Sequence, residues 1–230
     1  MKFSQKEVLT FDCYGTLIDW ESGILAAVQP VVRKHGLEVA DEPLLEAFAD
    51  LEAAAEAGPY RSYGEILATV MRGLGERLGF TPTPDDEAAL AGSVGDWPAF
   101  GDSPRALQAL KRCFKLAIIS NIDRDLFAAS NRRLAVEFDW IVTAQQARSY
   151  KPSLHNFEVA LEEIGLPKER LLHVAQSLYH DHVPAKRLGL ETVWVNRRHA
   201  KPGFGATPAA TARPDLEVPD LQTLASLACS

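Results

Sequence analysis

Asp12, Thr16, Ser120, Asn121, Lys151 and Asp181 are the residues of this 230-residue chain whose types and positions could do chemistry together. Asp12 follows Val8-Leu9-Thr10-Phe11, a continuous apolar run rich in β-branched and aromatic residues, the pattern of a strand buried on both faces. A carboxylate at the carboxyl end of a parallel strand lies in the crevice where open α/β sheets bind ligands. Gly15 allows a sharp turn just beyond it, and Thr16 adds a hydroxyl near the carboxylate. Ser120-Asn121 end a second run, Lys151 follows a third, and Gln176 and Asp181 follow a fourth. A lysine within a few ångströms of a buried carboxylate favours its charged form. A second carboxylate can hold that lysine or serve as a base. The local alternatives are a turn cap at Asp12, a solvated lysine at a helix start, and helix caps at Ser120, Asn121 and Asp181.

These residues need a parallel sheet to bring them together, and the hydrophobic pattern predicts one. Strands are expected at 8–11, 115–120, 140–143, 171–175 and 191–195. Helices are expected at 103–113, 126–136, 153–164 and 182–188 between or before them, so the connections should be right-handed crossovers. Between 17 and 97 no strand pattern occurs. Helical spacing predicts helices at 22–35 with Ser22 as cap, at 44–57 opened by Pro43, at 62–78, and at 84–94. The expected fold is α/β: a Rossmann-like parallel sheet core with helices on both faces, plus a helical cap inserted after the first strand. The core would be residues 1–16 and 98–230 and the cap 17–97. Residues 197–219 read as a long irregular surface loop, and 220–227 as a last helix.

The chain is 47% hydrophobic and 24% charged, the balance of a soluble globular protein. Its formal charge of -7 argues against nucleic acid or an anionic membrane as partner. Cys13, Cys113 and Cys229 have no metal-type spacing and imply no disulfide framework. The N-terminus lacks the apolar core of a signal peptide, and no run approaches a membrane span. A cytoplasmic location is the expectation. A second copy of the chain, forming a homodimer, is left open.

On these residues the chain resembles the haloacid dehalogenase superfamily over essentially its whole length. The first motif of that family looks like Asp12-Cys13-Tyr14-Gly15-Thr16, and the second like Ser120-Asn121. The third looks like Lys151 in Ser149-Tyr150-Lys151-Pro152, and the fourth like Gln176-Ser177-Leu178-Tyr179-His180-Asp181. The helical insert matches the position of the family's cap. Most members are magnesium phosphatases with a second aspartate two residues after the nucleophile and an aspartate opening the fourth motif. Tyr14 and Gln176 stand at those positions here. A hard cation wants several oxygen ligands, so the expected site is metal-free and uses no cofactor.

Asp-x-Tyr-Gly-Thr is the form of the 2-haloacid dehalogenase branch. That resemblance implies that Asp12 attacks a saturated carbon beside a carboxylate, displaces the leaving group, and forms an aspartyl ester that water hydrolyses. Lys151 would keep Asp12 ionised, and Asp181 would hold Lys151 or act as base, with Thr16 beside them. Ser120 and Asn121 would donate to the carboxylate of a small carboxylic acid substrate. Tyr14 would wall the pocket or pack in the core, Gln176 would position water, and Ser177 would join in substrate binding.

Two features qualify the dehalogenase reading. The branch takes its halide with a cap arginine, yet Ala47 to Ala53 contains none, and the nearest is Arg61. The fourth motif, Ser120 to Arg124, and the stretch from Arg197 to Thr207 look more like a subgroup that includes azetidine-2-carboxylate hydrolase. Asp50, Glu52 or Glu56 would suit the cationic ring nitrogen of such a substrate. A magnesium phosphatase and a non-catalytic module of this fold are less favoured, the latter because Asp12, Thr16, Ser120, Lys151 and Asp181 are all present. Trp20, Trp97 and Phe100 read as hinge packing, and Tyr60 and Tyr63 stay open between packing and substrate contact. His180 and His182 lack a third metal ligand.

Overall fold

The computed structural model describes residues 1–229. Its sheet contains the five expected strands and a sixth. They are β1 (Val8–Phe11), β2 (Lys115–Ser120), β3 (Trp140–Thr143), β4 (Leu171–Ala175), β5 (Glu191–Val195) and β6 (Leu216–Val218). All pair in parallel, in the order β3-β2-β1-β4-β5-β6. β6 lies inside the stretch read as loop. Three residues are too few to show a periodicity, and it is its pairing with Val193 to Val195 that makes them a strand.

β1 is central and buried on both faces, which is why its sequence is apolar without alternation. Leu9 and Phe11 pack with Leu107 and Leu110 of α5 (Ser103–Lys111) and with Leu221 and Leu224 of α10 (Leu221–Ala228). Val8 packs the other way, with Phe157 and Ala160 of α8 (Leu154–Ile164). Helices therefore cover both faces. Where α5 and α10 pack together, Cys113 and Cys229 meet in a disulfide. This overturns the expectation of no disulfide: the two residues are 116 apart in sequence, and only the fold reveals that they are neighbours.

Four helices lie between β1 and β2: α1 (Trp20–Lys34), α2 (Asp41–Glu56), α3 (Tyr63–Leu78) and α4 (Pro84–Ser93). α1 starts at Trp20 rather than Ser22. Asp19 is its cap, accepting from the Ser22 amide at 3.3 Å, so Ser22 belongs to the first turn. α2 likewise starts before Pro43, which sits in the first turn where its missing N–H costs nothing. Ser62 and Glu65 form a reciprocal capping box on α3. Gly23 of α1 packs against Trp97 so closely that a Cβ there would strike the indole ring.

The α2–α3 turn is fastened to the sheet layer. Asp123 lies just before α6 (Arg124–Leu134). Its Oδ2 accepts from the amides of Tyr63 (2.7 Å) and Gly64 (3.3 Å), and its Oδ1 from Tyr60 Oη (3.3 Å). Tyr150 donates to the Arg61 carbonyl at 2.8 Å and stacks on Tyr60. Among the described residues, no helix is long and apolar enough to cross a membrane.

Candidate active site

The carboxyl ends of β1, β2 and β4 supply the polar groups, and a lysine from the loop before α8 joins them. Lys151 Nζ donates to Asp12 Oδ1 at 2.9 Å, to Asp181 Oδ1 at 2.7 Å and to the Ile119 carbonyl at 2.9 Å. Three acceptors satisfy all three donors of the ammonium. Asp12 Oδ2 accepts from Thr16 Oγ1 at 2.7 Å, and Thr16 Oγ1 in turn accepts from the Gln176 amide at 2.9 Å. Gly15, at φ +89°, makes the turn that brings Thr16 back to the carboxylate. Arg197 fixes that turn from outside by donating Nε and Nη2 to the Thr16 carbonyl at 3.1 and 2.9 Å.

All three charged residues are buried. Burial raises the Asp12 carboxyl above its ordinary value. Lys151 offsets part of that rise and Asp181 adds to it, so the cation does not reverse the effect of burial as expected. Asp181 differs: burial works against its charge, but Lys151 and a hydrogen bond from His173 hold it well below the usual carboxylate range. Lys151 is raised despite its burial, by Asp12 and Asp181. A carboxyl held that low is a weak base, which fits Asp181 as the holder of Lys151. Its Oδ2 is buried without a partner.

The other expected residues divide. Ser120 Oγ is buried beside the cavity and has no partner, so it is free to donate to a ligand. Asn121 reaches the cavity, but its side chain is engaged: Oδ1 accepts from Lys151 N at 2.7 Å, and Nδ2 donates to Lys151 O at 3.0 Å and to Glu56. It positions the lysine backbone, a role the expectation of a substrate donor missed. Gln176 is turned out of the cavity towards Thr207, whose hydroxyl donates to its Oε1 at 3.3 Å, so its expected water-positioning role is not supported. Tyr14 both lines the cavity and packs, with its hydroxyl on Ser130 (2.8 Å) and its ring edge-to-face with Trp97. Ser177 borders the cavity and caps the following turn by accepting from the His180 amide at 2.9 Å.

Cap residues close the other side: Trp20 from α1, Glu52 and Glu56 from α2, and Tyr63 from α3. Trp20 is thus a cavity wall rather than hinge packing alone. Trp97 is buried in the core, and Phe100 lies under the Arg197 guanidinium. Tyr63 donates to Glu52 Oε1 at 2.6 Å. Tyr60 stays outside, on Asp123 and Tyr150. Asp50 is an exposed partner of Arg77, and Arg61 is bound to Thr69 and Ala55, so neither lines the cavity. Burial pushes Glu52 up to about 8 and Glu56 well above its ordinary value. The cavity volume is about 30 Å³, room for about two waters. A larger space of about 380 Å³, bordered by Tyr60, Arg148, Tyr150 and Tyr179, shares Glu56 and Lys151 with it.

His173 was not anticipated. It stands in β4 between Thr10 and Asp181, with Nδ1 on Thr10 Oγ1 (2.9 Å) and Nε2 on Asp181 Oδ1 (3.0 Å). Since the Asp181 carboxylate can only accept, Nε2 carries the proton. The available signal was two polar residues, Thr10 and His173, inside otherwise apolar strands.

The superfamily's magnesium does not fit this donor set. The ammonium of Lys151 lies between the two carboxylates. The side chains at 14 and 176 are a tyrosine bound to Ser130 and a glutamine turned towards Thr207. Among the described residues, no three histidines, cysteines or carboxylates gather as a metal site.

Comparison with known proteins agrees with this geometry. Over 227 residues the chain is 26% identical to haloacetate dehalogenase H-2 of Moraxella sp. (strain B), covering 96% of this chain and 97% of that protein. It is 25% identical to an (S)-2-haloacid dehalogenase of Pseudomonas sp. (strain YL), covering 95% and 93%. The crystal structure of the L-2-haloacid dehalogenase PA0810 superposes with a TM-score of 0.80 at 24% identity, over 98% of this chain and all of that one. The family model for haloacid dehalogenase-like hydrolases matches residues 6–188. The chain therefore belongs to the haloacid dehalogenase-like hydrolase family.

Proposed function

We propose that this hydrolase acts without a metal on a small 2-substituted carboxylic acid, through an ester on Asp12. The carrying observation is that the two positions where the phosphatases need aspartates hold Tyr14, bound to Ser130, and Gln176, turned towards Thr207, while Lys151 Nζ is the cation beside Asp12 and Asp181. Asp12 is the attacking group. It sits at the strand end, and burial leaves its carboxylate less stabilised than that of Asp181, so it is the more reactive of the two. Its oxygen displaces the substituent at C2, and the departing group takes the bonding electron pair. Ser120 Oγ is the free donor for the substrate carboxylate. Asp181 and Thr16 hold Lys151 and Asp12 in place. The names of the curated relatives favour a halogen as the departing group, which leaves as an anion and needs no proton. Hydrolytic opening of azetidine-2-carboxylate at its C–N bond is the second reading. It is favoured by Glu52 and Glu56, two cap carboxyls in a cavity whose described lining contains no arginine.

Labelling with heavy-oxygen water tests the ester. Water attacks the Asp12 carbonyl carbon, so after one turnover the label should sit in the Asp12 peptide and the product should be unlabelled. After many turnovers both should carry it. An unlabelled Asp12 peptide after many turnovers would mean that water attacks the substrate directly. Metal independence is tested separately, with 2-haloacids, azetidine-2-carboxylate and p-nitrophenyl phosphate, each with chelator or with magnesium. At least one of the carboxylic acids should turn over at the same rate in both. Strict magnesium dependence, or phosphate ester hydrolysis alone, would refute the reading.

A further inference from the structure

The cavity beside Asp12 is too small for the molecules the site would act on. Its volume is about 30 Å³, whereas a benzene-sized ligand is held by a cavity of about 150 Å³. 2-Chloropropionate has as many heavy atoms as benzene. The missing room adjoins the cavity: the space of about 380 Å³ shares Glu56 and Lys151 with it. Those two residues are not equally fixed. Lys151 Nζ is held by three acceptors at 2.7 to 2.9 Å. Among the described residues, the Glu56 carboxyl accepts only from Asn121 Nδ2, at 3.2 and 3.4 Å, and it lies 4.0 Å from His180 Nε2. Glu56 is therefore the wall that yields.

Displacing the whole cap is the costlier way to make room, because the cap is held on two sides. Asp123 fastens the α2–α3 turn. Elsewhere Arg198, from the stretch after β5, donates to both carboxylate oxygens of Glu21 in α1, at 2.7 and 2.6 Å, and to Glu42 in α2. That arginine is buried, and separating a buried ion pair is costly. A turn of the Glu56 side chain gives up one long contact and merges the two spaces.

We infer that the larger space is the subsite for the part of the substrate beyond C2, and that it takes a carbon chain ending in an oxyanion bound by Arg148. The inference rests on the reading of the site as one for 2-substituted acids, and deepens it. Tyr60, Tyr150, Tyr179, Ala53 and Pro152 line the space with ring faces and carbon surface, which suits a chain. Arg148 adds the cation. Its guanidinium lies over the Tyr60 ring, 4.4 Å from the centroid. Among the described residues, no carboxylate pairs with it and no acceptor takes its N–H groups. A guanidinium stacked on a ring with its fork free presents paired donors to a carboxylate or a phosphate. Its backbone holds φ +53°, the left-handed region that favours glycine, so nothing in the turn itself calls for an arginine.

Binding of 2-hydroxy acids, the products of such a hydrolysis, tests this without turnover. Lactate has no chain to place, 2-hydroxyhexanoate has an apolar one, and 2-hydroxyadipate has one ending in a carboxylate. 3-Phosphoglycerate carries a phosphate at its far end. In titration calorimetry, 2-hydroxyadipate or 3-phosphoglycerate should bind more tightly than lactate by about tenfold or more. The tighter of the two identifies the oxyanion. Arg148→Met should reduce that preference over lactate by about tenfold, and the preference for 2-hydroxyhexanoate over lactate by less. A crystal structure with 2-hydroxyadipate should place the far carboxylate on Arg148. Lactate binding as tightly as the longer acids, equal losses for charged and apolar chains in the variant, or a far carboxylate away from Arg148 would overturn the inference alone. Failure of all four acids to bind would overturn it together with the reading of the site beneath it.

Discussion

Asp12→Asn is expected to lower kcat by about 10⁴-fold or more while the protein stays folded. An amide does not attack carbon as a carboxylate does, but it has nearly the same shape. Its Oδ1 can still accept from Lys151, and Lys151 keeps Asp181 and the Ile119 carbonyl. The buried trio would change from two negative charges on one positive to one on one, so the fold loses little. Turnover of 2-chloropropionate or azetidine-2-carboxylate, read beside thermal unfolding, checks both halves. Activity within tenfold of the parent would remove Asp12 from the chemistry. A variant that fails to fold would mean that Asp12 is needed chiefly to neutralise Lys151.

Lys151→Met should abolish turnover and also destabilise the fold. Removing the cation leaves Asp12 and Asp181 buried together, and breaking a buried pair in this way costs about 3–5 kcal/mol. The loss should depend on pH with a definite sign. In the parent, Lys151 and His173 keep Asp181 below its unfolded value. That stabilisation is present above the unfolded value and fades as pH falls through the folded one. In the variant, both carboxyls should be raised above their unfolded values. The folded state then binds more protons than the unfolded state, and stability falls as pH rises. The gap between parent and variant should therefore be wider at pH 8 than at pH 5 in denaturant unfolding. A gap under about 1 kcal/mol, or one constant with pH, would show that water already reaches the pair.

Most of the scaffold could be read from the sequence because its strands are buried on both faces. Such strands leave continuous apolar runs, and the polar residues that end them then stand out: Asp12, Ser120 and Asp181 lie at or just beyond the runs, and Lys151 follows a short one. What a residue does after arriving is a different matter. Asn121 and Gln176 sit where the motifs imply, yet one is consumed by the Lys151 backbone and the other is turned towards Thr207. Side-chain direction depends on neighbours from distant segments, which spacing does not encode. The same limit hid β6, the Cys113–Cys229 link and the part Arg197 plays at Thr16. His173 was overlooked for another reason: a polar residue inside an apolar run looks like a tolerated exception until its partners are seen.

The fastening of the cap by Asp123 has a consequence for divergence. On the sheet side it is one carboxylate, but on the cap side it is mainly the amides of Tyr63 and Gly64. Main-chain donors at a helix start exist whatever side chains are attached, proline excepted. Positions 63 and 64 can therefore drift without releasing the α2–α3 turn. Glu52, Glu56 and Tyr63 can be exchanged for other cavity walls while the helices carrying them stay docked. A lineage built this way could change what it accepts by mutating the cap while Asp123 and the charged trio stay as they are.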